Sequence, residues 1–413
     1  MRQRLAIHDP VILLLAGLLT VIGLFFAFDA GFVRSLQHGR GAVPPEFTSQ
    51  LEFLPLALLA GWVCSRIRPD MLRRWSKAVW TVCLVMLVMA LVPPFRHTMN
   101  GADRWVKVIG PLQFQPAEFA KLGAIIYLAA VFAKRSAWPA KIRKQPSFSM
   151  WVDNVASAKL KRWLPAVWVV AAIALIEKEP DMGTGLVIAA AGFAIATAGG
   201  ATKRSLLAGI AIAIVLCGVM LVAQPYRRVR IANHFQRWEQ RNIDDSGYQT
   251  VQSEIAMASG GLRGVGSGAG HAKHLMPATT TDFVMATVAE EYGFIGAIVV
   301  LGMLGAIVVR LLYRAAALED RFARLTLIGV ATWLGFQGCV NLLQANGTLP
   351  PIGIPFPFVS SGGSSLLALW AAIGVTEAVA VRRPAPTHAI VEEAPIAAGR
   401  DRRRDGRARL SRA

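Results

Sequence analysis

VILLLAGLLTVIGLFFAF, residues 11–28, carries no ionisable side chain from end to end. A helix rises about 1.5 Å per residue, so roughly 20 such residues cross about 30 Å of hydrocarbon. The block is too long for a removable signal peptide and lacks a small-residue cleavage pattern, so it reads as a retained anchor. Met1-Arg2-Gln3-Arg4 places positive charge before it, which predicts a cytoplasmic N-terminus.

Blocks of the same kind recur at 51–66, 78–94, 116–133, 164–178, 183–200, 204–223, 284–309, 322–345 and 362–381. Of the 413 residues, 54% are hydrophobic and 17% charged, against about a quarter charged in a soluble domain. Backbone polar groups in lipid are satisfied only by helices or closed barrels. Continuous runs of Leu, Ala, Val and Ile without alternation select helices. The expected fold is an all-α polytopic membrane protein of about ten transmembrane helices. Both termini are expected in the cytoplasm, with a large extracytoplasmic loop between helices 7 and 8.

The charge pattern tests that plan. Segments predicted inside are basic: Arg66, Arg68, Arg73, Arg74 and Lys77; Lys134, Arg135, Lys141, Arg143, Lys144, Lys159, Lys161 and Arg162; Lys203 and Arg204; Arg310, Arg314, Arg321 and Arg324. Moving the plan by one span would reverse the bias. The net charge of +19 is thus accounted for by topology and by anionic membrane lipids, with no nucleic acid as partner. Cys64, Cys83, Cys217 and Cys339 lie in apolar blocks without metal-like spacing, so free buried thiols are expected. Residues 1–383 read as one membrane domain. Residues 384–413 read as a basic cytoplasmic tail too poor in apolar residues to fold. Residues 134–163 have the look of a basic surface helix on the membrane.

Unusual sequence gathers in the segments predicted outside. Asn100-Gly101-Ala102-Asp103-Arg104-Trp105 leads to Phe114-Gln115-Pro116-Ala117-Glu118-Phe119-Ala120-Lys121. Glu118 and Lys121 share a helix face at the start of a span, either as a local ion pair or as a polar cavity wall. In Glu179-Pro180-Asp181-Met182-Gly183-Thr184, Asp181 can cap the next helix. Arg227, Arg228, Arg230, Arg237 and Arg241 break the positive-inside bias locally, as a solvated basic face or as a site for an anion. Tyr248–Ala256 reads as an amphipathic helix. The glycines of Ser259–Gly270 suit either flexible turns or close approach of N–H groups to phosphate. His271 and His274 lack a third ligand, so no metal site is assigned. Thr281-Asp282-Phe283 precedes the eighth span, and a carboxylate at that boundary suits a general base. Glu290 and Glu291 follow, as helix-cap or base candidates. The Pro- and Gly-rich run Asn346–Ser365 is tolerable at membrane depth only where it lines a hollow.

In this order the motifs Asn100–Lys121, Glu179–Thr184, Tyr248–Gly270, Thr281–Gly296 and Gly347–Ser365 resemble the shape, elongation, division and sporulation (SEDS) family of RodA/FtsW-like proteins. The resemblance implies a peptidoglycan glycosyltransferase of the cell inner membrane, serving cell elongation or division. Its substrate would be lipid II, an undecaprenyl-pyrophosphate-linked disaccharide-pentapeptide, and its partner a class B penicillin-binding protein transpeptidase. The family's key carboxylate matches Asp282, its cavity pair Glu118 and Lys121, and its outer-loop arginine Arg104. Asp181, Arg227, Arg228, Gly363, Ser364 and Ser365 complete the expected substrate-binding set. The chain departs from the family pattern at Ala278, Thr280 and Ser361. A divalent cation (Mg2+ or Mn2+) could help neutralise the leaving pyrophosphate, although no carboxylate cluster requires one. Two other functions fit polar cavities and broken helices: a transporter (flippase) for lipid-linked precursors, and a non-catalytic scaffold.

Overall fold

The computed structural model describes residues 8–37, 41–93, 95–99, 102–109, 112–134, 166–223, 225–243, 247–276 and 278–380, with Gly39 and Asp245. All belong to the compact unit Ile7–Val381. The expected tail 384–413 and most of the basic loop 134–163 lie outside the described residues.

The helices are α1 (Pro10–Gln37), α2 (Pro45–Arg66), α3 (Pro69–Leu91), α4 (Pro116–Ala133), α5 (166–178), α6 (Met182–Ala198) and α7 (Lys203–Ala223). After these come α8 (Pro225–Phe235), α9 (Gln240–Ile243), α10 (Tyr248–Gly260), α11 (Ala272–Leu275), α12 (Val284–Ala316), α13 (Arg321–Ala345) and α14 (Gly363–Ala380). Every apolar block of the sequence falls on one of them. Seven are long and apolar enough to cross a membrane: α1, α2, α3, α4, α12, α13 and α14. The expectation of helices alone needs one correction. Arg96–Met99, Ala102–Ile109 and Leu112–Phe114 form β1, β2 and β3, a small antiparallel sheet in that order. Short and irregular in register, these strands have no apolar periodicity that would announce them.

Burial sorts the helices. Of their most apolar windows, 72% of α4, 67% of α13 and 78% of α14 are buried, against 17% of α2 and 28% of α3. The first group forms the centre. The second turns Leu56, Leu59, Trp62, Val82 and Val85 outward, as lipid-facing helices do. Helices pack without a hydrophobic driving force in lipid, so small residues bring backbones together. On the pair α2 and α14, a Cβ on Gly374 would lie 2.1 Å from the Gly61 carbonyl oxygen. On α3 and α4, a Cβ on Gly123 would lie 2.6 Å from Cys83 Sγ. Cys64 is half-buried and Cys83 buried, as free thiols. Cys339 is also free but exposed, contrary to the expected burial, because it lies on a face of α13 that the bundle leaves uncovered.

One end of the bundle is tied by ions. Arg310 Nε donates to Asp9 Oδ2 at 2.8 Å. Arg314 pairs with Glu377, and the Asp9 backbone N–H donates to Glu377 Oε2 at 2.9 Å. The start of α1 and the ends of α12 and α14 therefore meet. Arg310 and Arg314 thus act as structural partners of Asp9 and Glu377.

At the opposite end, α12 is broken. Gly293 has φ 68° and ψ −168°, which ends helical bonding for one turn. The glycine-rich loop fills the gap: Phe294 N–H donates to Gly261 O at 2.8 Å, and Val265 N–H to Glu290 O at 2.9 Å. A Cβ on Gly264, at φ +83°, would lie 2.1 Å from the Glu291 carbonyl oxygen. These glycines serve backbone contact, and the N–H groups of Val265, Gly266 and Gly268 are directed at Glu290 and Glu291. Gly264→Ala should therefore destabilise the protein by roughly 2–4 kcal/mol. The α12 control Gly302→Ala has open space around its Cβ and should stay within about 0.5 kcal/mol of wild type. Thermal unfolding of the two variants in one detergent checks the contrast.

Candidate functional site

Asp282 sits where four helices begin. It lies just before α12, whose N-cap is Phe283. The α4 N-cap is Gln115, and the α6 N-cap is Asp181. Gln115 joins three of these starts, because its N–H donates to Ser364 Oγ at 3.0 Å and its Nε2 to Asp181 Oδ2 at 2.8 Å. Asp181 also accepts from Thr184 N–H at 3.1 Å and from Thr184 Oγ1 at 2.9 Å, so it is a genuine cap. The segment before α14 is stitched to the Asp282 turn: Ser361 N–H donates to Thr280 O at 2.7 Å, and Ser360 Oγ to Thr281 O at 2.6 Å.

The backbone of Asp282 is held by α13. Its carbonyl accepts from Asn341 Nδ2 at 2.9 Å and from Gln344 Nε2 at 2.8 Å. The same two amides donate to Ile354 O. Gln344 Oε1 accepts from Ile352 and Gly353 N–H, and Gln337 Nε2 donates to Pro355 O at 2.8 Å. The Pro-rich run thus lines the Asp282 turn, and a Cβ on Gly353 would lie 3.6 Å from Asp282 Oδ2.

Asp282 is half-buried. Burial raises its pKa, and the nearby Asp181 adds to the rise. Arg104 and Arg230 pull it back, leaving it at about 6. Arg230 also donates to Pro351 O at 3.1 Å. Arg104 donates from Nε to Glu179 O at 2.8 Å and from Nη2 to Pro180 O. Glu179 itself is fully buried, and burial, with Asp181 beside it, pushes its carboxyl up to about 9 despite Arg104.

The expected residues divide into groups. Asp282, Arg104, Asp181 and Ser364 belong to one connected patch. Glu118 and Lys121 form an ion pair at 2.8 Å, one of the two readings that their spacing left open, buried in the first turns of α4. Lys121 also donates to Gln337 Oε1 at 3.1 Å and lies over the Trp333 ring, so its charge is compensated inside the protein. The pair reaches Asp282 through α13 and not by contact. Gly363 admits Phe53, whose ring would touch a Cβ there at 2.3 Å, and Ser365 is half-buried. Arg228 is exposed on α8, and the side chain of Arg227 lies outside the described residues. Glu290 is a helix cap, accepting from His271 N–H at 2.7 Å and Ala272 N–H at 2.9 Å. Three residues escaped the sequence reading: Gln337, Asn341 and Gln344. Their i, i+4, i+7 spacing in an apolar helix is a one-face polar stripe and was a usable signal. The donor set does not suit a cation held by protein alone. Asp181 is committed to Thr184 and Gln115, the other charges near Asp282 are arginines, and no group of three or more His, Cys, Asp or Glu among the described residues could hold a metal ion.

The fold and this patch define a multi-pass membrane protein with two acidic side chains, Asp181 and Asp282, set among helix N-termini and arginines. The chain belongs to the FtsW/RodA/SpoVE family of cell cycle proteins, whose model matches residues 9–384. It is 34% identical to a probable peptidoglycan glycosyltransferase FtsW of Thiomonas intermedia over 382 residues, covering 90% of this chain and 88% of the relative. It is 35% identical to the corresponding protein of Saccharophagus degradans over 323 residues, 77% of this chain and 78% of that one. Among solved structures it resembles a chain of a peptidoglycan synthase complex studied for the coordination of polymerization and crosslinking, at 28% identity and TM-score 0.71, over 90% of this chain and 97% of that chain. RodA of Thermus thermophilus is similar at 28% identity and TM-score 0.62, over 90% and 96%.

Glu179 gives a pH prediction. Its pKa is raised on folding, so between the ordinary carboxyl value and about 9 the folded state binds more protons than the unfolded one, and stability falls as pH rises. Glu179→Gln should flatten the decline in melting temperature between about pH 5 and pH 8. An unchanged slope in detergent melting curves would show that Glu179 titrates normally.

Proposed function

We propose that this chain polymerises lipid II into glycan strands, with Asp282 as the general base. The observation that carries this reading is the half-buried Asp282 carboxylate, raised to about 6 and set among four helix N-termini with Arg104 and Arg230 nearby. The family and the named relatives support a peptidoglycan glycosyltransferase. The 4-hydroxyl of the acceptor sugar attacks the anomeric carbon of the donor, and Asp282 takes its proton as the carbon–oxygen bond to the lipid pyrophosphate breaks. Direct displacement from an α-linked donor gives a β linkage. General-base help is worth roughly 10²–10⁴-fold.

Helix N-termini concentrate partial positive charge and favour phosphate. Arg104 and Arg230 are the arginines best placed to meet the departing pyrophosphate, and Arg228 is exposed on the same helix as Arg230. Asp181, Gly363, Ser364 and Ser365 shape the N-terminal rim. Glu118 and Lys121 support the site through Gln337, because their charges already compensate each other.

The same reading sets topology and partners. The start of α1 meets the ends of α12 and α14, while α4, α6, α12 and α14 begin at the Asp282 end. That alternation supports the ten-span plan, with α5, α6 and α7 as the remaining crossings. It also supports cytoplasmic termini and an extracytoplasmic loop between α7 and α12. The membrane is then the inner one, where lipid II is presented on the outer face. A class B penicillin-binding protein is the expected partner, because the similar chain belongs to a complex of polymerization and crosslinking.

Purified protein with lipid II, sized for product with and without a cognate transpeptidase, tests the assignment. Asp282→Asn should lower polymer synthesis by at least about 100-fold with the protein still folded; full synthesis by that variant would remove Asp282 from the mechanism. Movement of labelled lipid II across proteoliposomes without polymer would support a carrier instead. A further measurement reads the charge environment. Activity needs ionised Asp282, so kcat/KM should rise with pH through about 6. Arg104→Gln removes a charge that lowers this pKa, so the acid limb should move to higher pH.

A further inference from the structure

Val284–Tyr292, the first part of α12, is an isolated half-helix. Residues 284–291 are buried, Asp282 lies at its head, and the break at Gly293 separates it from the rest of α12. Continuous hydrogen bonding from the longer second part of α12 therefore cannot fix its orientation. Its head is held by Asn341 and Gln344. A different device holds its foot.

Lys273 Nζ on α11 donates to Glu291 Oε1 at 2.8 Å and to Asp29 Oδ2 of α1 at 2.8 Å. The Lys273 side chain is 2% exposed, that of Glu291 0% and that of Asp29 16%. The other carboxylate oxygen of Glu291 accepts from Gly268 N–H at 3.2 Å. The neighbouring Glu290 accepts from His271 and Ala272 N–H. Burial opposes a charge on Lys273, but its two carboxylate partners outweigh that and hold its pKa above the ordinary lysine value. One cation thus joins α1, α11 and the foot of the Asp282 half-helix, and removing it strands two carboxylates in a poorly hydrated place.

We propose that Lys273, clamped between Asp29 and Glu291, is a positioning residue that pins the half-helix carrying Asp282 against α1. This rests on Asp282 as the base, but the pin itself is a statement about packing. It gives Lys273 a task that neither sequence spacing nor contact with the Asp282 patch would assign. Misplacement of a catalytic group by about 1 Å can cost about 100-fold in rate.

The test uses the full chain in detergent, with wild type and Asp282→Asn as references for polymerisation. Lys273→Met should lower kcat for lipid II polymerisation by about 100-fold with KM within about threefold. Lys273→Arg, which keeps the charge, should recover most of it. Asp29→Asn leaves the Lys273–Glu291 pair in place and should lower kcat by about tenfold. The triple variant Asp29→Asn, Lys273→Met, Glu291→Gln leaves no unpaired charge, so it should fold while still showing the kcat defect. Hydrogen–deuterium exchange gives a readout that needs no activity: amides of 268–292 should exchange faster in Lys273→Met and Asp29→Asn. Wild-type kcat in folded Asp29→Asn or in the triple variant, or unchanged exchange across 268–292, overturns the pin. If wild type makes no polymer yet exchange responds as stated, the pin stands and the assigned reaction fails.

Discussion

Three carboxamides on one face of α13 hold the irregular backbone of the site together. Lipid offers no water to satisfy a stray N–H or C=O, so each non-helical segment in the bundle needs protein partners. The run from Asn346 to Ser365 is hard to satisfy because Pro350, Pro351, Pro355 and Pro357 contribute carbonyls but no N–H. Gln337, Asn341 and Gln344 supply the missing donors. Gln344 works in both directions, accepting from Ile352 and Gly353 and donating to Ile354 and Asp282. The ladder therefore fixes two segments relative to each other: the Pro-rich run and the Asp282 turn. A substitution that kept α13 helical but removed an amide would leave buried carbonyls unpaired, at about 1–3 kcal/mol each.

Electrostatics then set what the Asp282 patch can hold. Four helix N-termini and two arginines favour an anion, while Asp181 and Asp282 are themselves acidic. The conflict is resolved locally. Asp181 binds its own helix start and Gln115, so its charge is partly answered by N–H and amide donors. Asp282 has its backbone held but its carboxyl less committed, and burial raises its pKa to about 6. A carboxylate near that value is a better base than an ordinary aspartate and is still largely ionised at neutral pH. Lys121 is the contrast. It is a cation in the same bundle, yet Glu118, Gln337 and Trp333 already enclose it.

The legible part of the fold was the part governed by a single rule. Apolar length marked the helices, and all ten blocks fall on helical segments. The ion pairs of Arg310 and Arg314 with Asp9 and Glu377 place the start of α1 and the ends of α12 and α14 at a common end. The Glu118–Lys121 pair and the Asp181 cap were readable because both are local, within three residues. What escaped depends on distant partners. The sheet at 96–114 pairs short bulged strands. The glycines of 260–268 suited flexible turns or phosphate equally, because their actual task, meeting a break in α12, needs a contact about 30 residues away. For Glu290 and Glu291 the choice between base and helix cap stayed open for the same reason, since the N–H groups and the ammonium that claim them lie in α11 and the loop before it.

Chemistry on a lipid-borne substrate sets contrary demands on one bundle. Accessible catalytic atoms require broken helices and turns at membrane depth. Those turns need donors, and the donors must sit on something that does not itself bend. α13 meets that requirement: it is capped by Asp320 at 2.9 Å from Ala323 N–H, runs unbroken from Arg321 to Ala345, and is mostly buried between α4, α6, α12 and α14. Irregularity is thereby confined to one end, while the ion cluster of Asp9, Arg310, Arg314 and Glu377 closes the other. The amide ladder at one end of α13 and the ions at the far end of α12 are two answers to the same scarcity of water, and only beside the first does a carboxyl, that of Asp282, stay half-exposed and raised to about 6.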